Sequence, residues 1–131
     1  MKGFVHNIEV MTEKNGHFRQ VLYTGKHLQL VVMSLRPGED IGEEVHADRD
    51  QFFRVEKGKG EVRIDERKTR VEAGDAILVP AGARHNITNV GEKSLKLYTL
   101  YGPPEHEDHT VQVTKGEALA SKEHFAGTTT E

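Results

Sequence analysis

With 131 residues, 18 basic against 21 acidic side chains and a net charge of -3, the chain has the length of one domain and offers no basic stripe for a phosphate backbone. It has no cysteine, so disulfides and thiolate ligands are excluded and any metal must be held by nitrogen and oxygen. The first residues lack a signal peptide's apolar run, and no stretch approaches the ~20 apolar residues of a membrane span. Cytoplasmic residence, with no membrane or nucleic-acid partner, is the resulting expectation.

In chain order, residues 1–26 hold two short candidate strands, 8–11 and 18–23, around the turn-like Lys14-Asn15-Gly16. Residues 27–36 form an apolar strand closed by Pro37-Gly38, and 51–56 lead into Gly58-Lys59-Gly60. Val62 and Ile64 alternate with Glu61, Arg63 and Asp65 as a half-exposed strand, and 65–68 make a hairpin. Strands over 71–79, 84–90 and 95–101 follow, broken at Ala73-Gly74, at Pro80 and at 89–92. Turns at this spacing predict an all-β sandwich or barrel over 27–102, with no helix in its core. Residues 103–131 read as a strap from Pro103-Pro104, then a short helix over 115–124 started by the capping box Thr114 and Glu117. Residues 126–131 carry too little apolar content to stay ordered.

The most informative segment is Gly74 to Asn89, where a turn, a short strand and a Pro80–Gly82 corner set His85 at the start of the next strand. Gly74, Pro80, Gly82, His85 and Asn89 fill all five fixed positions of G-x5-P-x-G-x2-H-x3-N, the second motif of the cupin family, which the chain resembles. Aligning the first cupin motif, G-x5-H-x-H-x(3,4)-E-x6-G, on Gly38 and Gly58 brings Glu44, His46 and Gln51 to its ligand positions. Glutamate stands where the first histidine is usual, and glutamine where glutamate is usual. The resemblance covers residues 28–101 and implies a double-stranded β-helix, or jelly-roll, barrel. It also implies one divalent transition metal (Zn, Mn, Fe or Ni) on Glu44, His46, Gln51 and His85, and a homodimer in which the N-terminal strands cross to a partner.

Strand parity agrees with that ligand set. Glu44 and His46 share one face, Gln51, Phe53 and Val55 another, and His85 and Ile87 a third. Two imidazoles and one carboxylate leave open positions on a first-row ion, with Gln51 either a weak fourth ligand or a group that orients one by hydrogen bonding. Tyr101 is expected to face inward and Tyr98 outward, while Arg54 and Arg84 have the wrong parity for the interior. His6, His17, His27 and His124 carry no ligand spacing, and His106 and His109 read as solvated residues of the strap.

The run Glu44-Val-His46-x-Asp-x-Asp50-Gln51-Phe-Phe-Arg54 and the strap Pro103-Pro104-Glu-His106 are similar to small single-domain bacterial cupins labelled mannose-6-phosphate isomerase-like. No residue can be assigned as catalytic from the sequence. The expected function is metal-dependent isomerase- or tautomerase-type chemistry on a small hydroxylated or carboxylated metabolite, a sugar or sugar acid, as in the similar cupins that open unsaturated uronic-acid sugars. The alternatives are an Fe(II) dioxygenase and a non-catalytic sugar- or metabolite-binding module.

Overall fold

Ten strands and two short helices make up the computed structural model, which describes residues 1–131. The strands are β1 (Arg19–Thr24), β2 (Gln29–Leu35), β3 (Glu44–Val45), β4 (Asp50–Lys57), β5 (Lys59–Ile64), β6 (Arg67–Glu72), β7 (Ala76–Val79), β8 (Arg84–Asn89), β9 (Leu95–Gly102) and β10 (Val111–Gln112). The helices are α1 (Ile8–Lys14) and α2 (Lys115–Ala120). All pairings are antiparallel, in one sheet ordered β10-β1-β2-β9-β4-β7 and a second ordered β3-β8-β5-β6. This is the double-stranded β-helix barrel expected from the sequence, with its short C-terminal helix.

The alternation of the central strands explains the architecture. Along β4, Gln51, Phe53 and Val55 are buried while Phe52, Arg54 and Glu56 are half-exposed, and β9 keeps the same period. Inward residues of both sheets join one cluster of 17 buried apolar side chains, among them Phe53, Leu97, Val62 and Ile87. The rows across the larger sheet differ in character. Val31, Thr99, Phe53 and Ile77 form an almost apolar row, whereas the next row, Gln29, Tyr101, Gln51 and Val79, is largely polar. The polar row contains Gln51, one of the ligand positions expected from the sequence.

Three expectations are corrected. Residues 8–11, read as a strand, are the start of α1, because Asn7 caps it by accepting the Val10 N–H at 3.0 Å and Glu9 lies in its first turn. The C-terminal helix has the expected capping box, with Glu117 N–H on Thr114 Oγ1 at 3.2 Å, but stops at Ala120 instead of continuing to residue 124. Beyond it the chain turns back to the strap, where Glu123 accepts from His106 Nδ1 at 2.6 Å and Phe125 N–H donates to Glu105 O at 2.8 Å. Residues 126–131 are not a loose tail, since Thr130 N–H donates to Thr24 O at 2.9 Å and Thr24 N–H to Thr130 Oγ1 at 2.8 Å. Backbone groups at the end of β1, with polar contacts of the Thr130 hydroxyl and the Glu131 carboxylate, hold a segment that has little apolar side chain to bury. β1 itself pairs with β2 and β10 of its own chain.

Glu123 fastens this C-terminal return. Burial alone would raise its carboxyl pKa, but hydrogen bonds from His106 and the Glu107 N–H outweigh that and hold it below the usual range. A depressed carboxylate contributes stability that is fully present above its unfolded value of about 4.5 and is lost as pH falls through the folded value. Hydrogen exchange should therefore show residues 121–131 losing protection below about pH 4.5 while β2 and β9 stay protected. Uniform loss across the chain would contradict a local clasp.

Candidate metal centre

Two loops aim the ligands. Glu44 on β3 lies directly across from His85 on β8, so their side chains share a face. The Pro80–Gly82 corner is clasped to the loop after β3: Gly82 N–H donates to His46 O at 2.8 Å, and Ala81 N–H to Asp50 Oδ1 at 2.8 Å. Gly82 sits at φ +89°, a backbone region that favours glycine. The motif residue Asn89 acts farther away, its Nδ2 donating to Leu35 O and Lys93 O, both at 2.9 Å, which ties the end of β8 to β2 and to the following turn.

The sequence-expected ligands converge. Donor atoms of Glu44, His46 and His85 all lie within 4.8 Å of one another. Glu44 Oε2 is 2.9 Å from His46 Nε2, and Gln51 Oε1 is 3.1 Å from His85 Nε2. Two ligands about 2.1 Å from one ion and at right angles are about 3.0 Å apart, so both separations suit neighbouring positions on a metal.

Hydrogen bonds behind the ligands orient them. His85 Nδ1 faces Ala83 O at 3.1 Å; donating its proton there leaves the Nε2 lone pair directed into the barrel. Gln51 Nε2 donates to Thr99 Oγ1 at 3.0 Å, which turns the amide oxygen toward that same Nε2. His85 Nε2 and Gln51 Oε1 face one another at 3.1 Å, a separation that an N–H···O hydrogen bond or two donors on one ion equally satisfy. The donor set, two imidazoles, one carboxylate and one amide oxygen, fits a divalent first-row ion.

Charge around the site is coupled. Burial by itself pushes the Glu44 carboxyl up, but the hydrogen bond and charge of His46, with the charges of Arg19 and His85, carry it below the usual range. For His46 burial acts downward and is outweighed by Glu44 and Glu105, so the net displacement is upward. Arg49 pairs with Glu105, whose Oε2 is also 3.5 Å from His46 Nδ1. Burial pushes the Tyr101 hydroxyl well above the ordinary phenol range, which keeps it a proton donor through neutral pH.

Other expectations sort by parity. Tyr101 is 1% exposed and inward, Phe53 packs in the core, and Phe52 and Tyr98 meet on the outer face at 6.3 Å between ring centroids. Arg54 pairs with Glu56 and Arg84 is exposed, both away from the site. His6, His27, His109 and His124 are exposed, and His17 binds Gln20 at 3.0 Å. His106 was expected to be solvated and is instead buried, with Nε2 3.2 Å from the Tyr101 hydroxyl and Nδ1 on Glu123. Its neighbours in sequence are polar, and only the return of the C-terminal segment covers it. Sequence reasoning also passed over Arg19, which is inward and buried on β1. The parity of Arg19 with Val21 was the available signal.

Residues 31–101 match the family model described as a cupin domain. The chain is 46% identical over 128 residues to uncharacterized protein YrkC of Bacillus subtilis (strain 168), spanning 93% of this chain and 69% of that protein. Among solved structures, BH2720 from Bacillus halodurans is similar at TM-score 0.89 and 47% identity, over 92% of this chain and 96% of that one. KdgF from Halomonas sp. is similar at TM-score 0.61 and 26% identity, over 65% and 76%. No helix is long and apolar enough to cross a membrane. The matched segment contains the ligand positions Glu44, His46, Gln51 and His85 together with both sheets of the barrel, and the chain belongs to the cupin family.

Proposed function

We propose that the protein is a metal-dependent enzyme of isomerase or tautomerase type, acting on a small hydroxylated or carboxylated metabolite such as a sugar or sugar acid. The observation that carries this reading is a potential metal-binding set, Glu44, His46, Gln51 and His85, lying beside a buried chain of proton-bearing groups. A divalent ion held by that set supplies Lewis-acid polarisation of a carbonyl or hydroxyl oxygen. The chain's own residues supply the rest. Tyr101 presents a hydroxyl that stays protonated, and His106 accepts at Nε2 while Glu123 receives the Nδ1 proton's hydrogen bond. These three side chains can take up a proton at the Tyr101 oxygen while the hydroxyl's own proton passes to His106 Nε2, facing the Glu123 carboxylate on its other side, and then return it, as an aldose–ketose or keto–enol shift requires. The substrate class rests on the resemblance of residues 44–54 and 103–106 to the mannose-6-phosphate isomerase-like cupins, and the likeness to KdgF is one of the barrel. A cytoplasmic homodimer completes the proposal, and sedimentation of the purified protein tests the assembly.

Gln51 favours isomerisation over oxidation. A neutral amide in place of a carboxylate leaves more positive charge on the metal and so raises its Lewis acidity. Gln51→Glu should keep about one metal per chain yet lower isomerase-type turnover by roughly tenfold or more, an effect of the size general acid–base and electrostatic changes produce. The measurements are elemental analysis and turnover of parent and variant on a panel of sugars, uronic acids and keto acids, with and without oxygen. Equal turnover in both proteins would remove this reason for preferring isomerisation. The second reading, an Fe(II) dioxygenase, is favoured by the two-histidine, one-carboxylate set itself, and iron with substrate-dependent oxygen uptake would establish it.

A further inference from the structure

We propose that Arg19 is an anion-binding group of the barrel interior and that the small molecule bound beside Glu44, His46 and His85 carries a carboxylate that Arg19 holds. This rests on the small-molecule reading above and narrows its substrate class to acids.

Arg19 lies directly across from Gln112 on one side and Met33 on the other, and it shares the inward face with them. It is only 6% exposed. A guanidinium so buried is normally met by carboxylates, because removing its charge from water is costly unless a partner replaces the water. Arg49, the least exposed of the ion-paired arginines, follows that rule, pairing with Asp48 and Glu105. Arg19 has no carboxylate within ion-pair distance. One Nη donates to the neutral Oε1 of Gln112 at 2.7 Å, the guanidinium carbon lies 5.3 Å from the centre of the Phe18 ring, and the buried Nε has no partner.

Its charge is nevertheless felt inside the barrel. Arg19 helps hold Glu123 as a carboxylate, and Glu123 leads through His106 to Tyr101, whose ring centre is 5.9 Å from that of His46, so the field of Arg19 reaches the tyrosine–histidine–glutamate chain that borders the metal-binding set. Neither Glu44, bonded to His46, nor Glu123, bonded to His106 and the Glu107 N–H, lies within ion-pair distance of Arg19. A divalent ion with the single carboxylate Glu44 keeps one uncompensated positive charge, and Arg19 adds another, of which the Glu123 carboxylate offsets one. A ligand with its own carboxylate balances this surplus, and the planar fork of a guanidinium matches a carboxylate with two parallel hydrogen bonds. A neutral sugar leaves Arg19 as it is.

The test compares parent, Arg19→Met and Arg19→Lys proteins by calorimetric titration with acetate, malonate, D-glucuronate and 2-oxoglutarate, with D-glucose and D-glucose 6-phosphate as controls. Metal content is measured on the same samples. The expected result is binding of at least one carboxylate by the parent, weakened tenfold or more in Arg19→Met and partly regained in Arg19→Lys, with D-glucose weaker than D-glucuronate. Arg19→Met also leaves Gln112 Oε1 without its donor, so the folding of both variants is checked by melting before titration. Equal carboxylate affinity in parent and Arg19→Met would overturn the proposal. So would a metal-loaded parent that binds none of the carboxylates, or one whose Arg19-dependent ligand is the phosphate sugar alone; in both cases the metal reading stands. Arg19-dependent carboxylate binding in a chain that takes up no metal would instead leave Arg19 in place and overturn the metal reading.

Discussion

Replacing His46 and His85 together by Ala is expected to take metal content from about one ion per chain to near zero, a loss of affinity of roughly a hundredfold or more, since even second-layer partners of a metal cost 10–100-fold. Both imidazoles present Nε2 to the same small region, 2.9 Å from Glu44 and 3.1 Å from Gln51 respectively, so no other pair of nitrogens remains there to hold the ion. The stability consequence is linked. A metal present at about 100 times its dissociation constant stabilises the native state by about 2.7 kcal/mol. For a domain of this size that is roughly 10 °C in Tm, which a chelator should remove from the parent and leave unchanged in the double variant. Elemental analysis together with melting curves, with and without chelator, measures both effects. Retained metal in the double variant would place the ion elsewhere.

Gly58→Ala is expected to destabilise the fold by about 2–6 kcal/mol, combining backbone strain of about 1–3 kcal/mol with a steric overlap of similar cost. Gly58 sits at φ +98°, and a Cβ there would lie 2.9 Å from Ser94 O and 3.0 Å from Leu95 Cα. Both are backbone atoms at the start of β9, which is paired with β2 and β4, so they have no room to retreat. Gly74 provides the control. Its φ of +96° is almost the same, but nothing lies within 4 Å of the Cβ position, so Gly74→Ala should carry the strain alone, about 1–3 kcal/mol. Urea unfolding of both variants measures the difference. Equal losses would show that close approach to β9 contributes nothing.

Gly58 and Gly74, one fixed glycine from each motif, thus have separate physical meanings: Gly58 permits contact between strands, and Gly74 permits only a turn. Spacing alone does not distinguish them. The convergence of Glu44, His46, Gln51 and His85 was legible for a related reason. Strand period puts Glu44 and His46 on one face, the Pro80–Gly82 corner sets His85 at a strand start, and Gln51 shares the inward parity of Phe53. Alternation and turn residues act over a few neighbours, so a sequence displays them directly.

What the sequence by itself determined was therefore the all-β barrel, the limits of most of its strands, the inward faces of β4, β8 and β9 and the capping box of α2. Only the tertiary structure decided the fate of groups whose surroundings come from far along the chain. His106 looks like one more polar residue of a strap until Glu123 and Tyr101 meet it from either side. Arg19 looks like a charge near a strand end until β10 and β2 enclose it. Residues 126–131 look too polar to order until the backbone of Thr24 takes up Thr130. Each depends on burial and partners supplied by segments distant in sequence, and on backbone hydrogen bonds that ignore side-chain polarity, neither of which local pattern encodes.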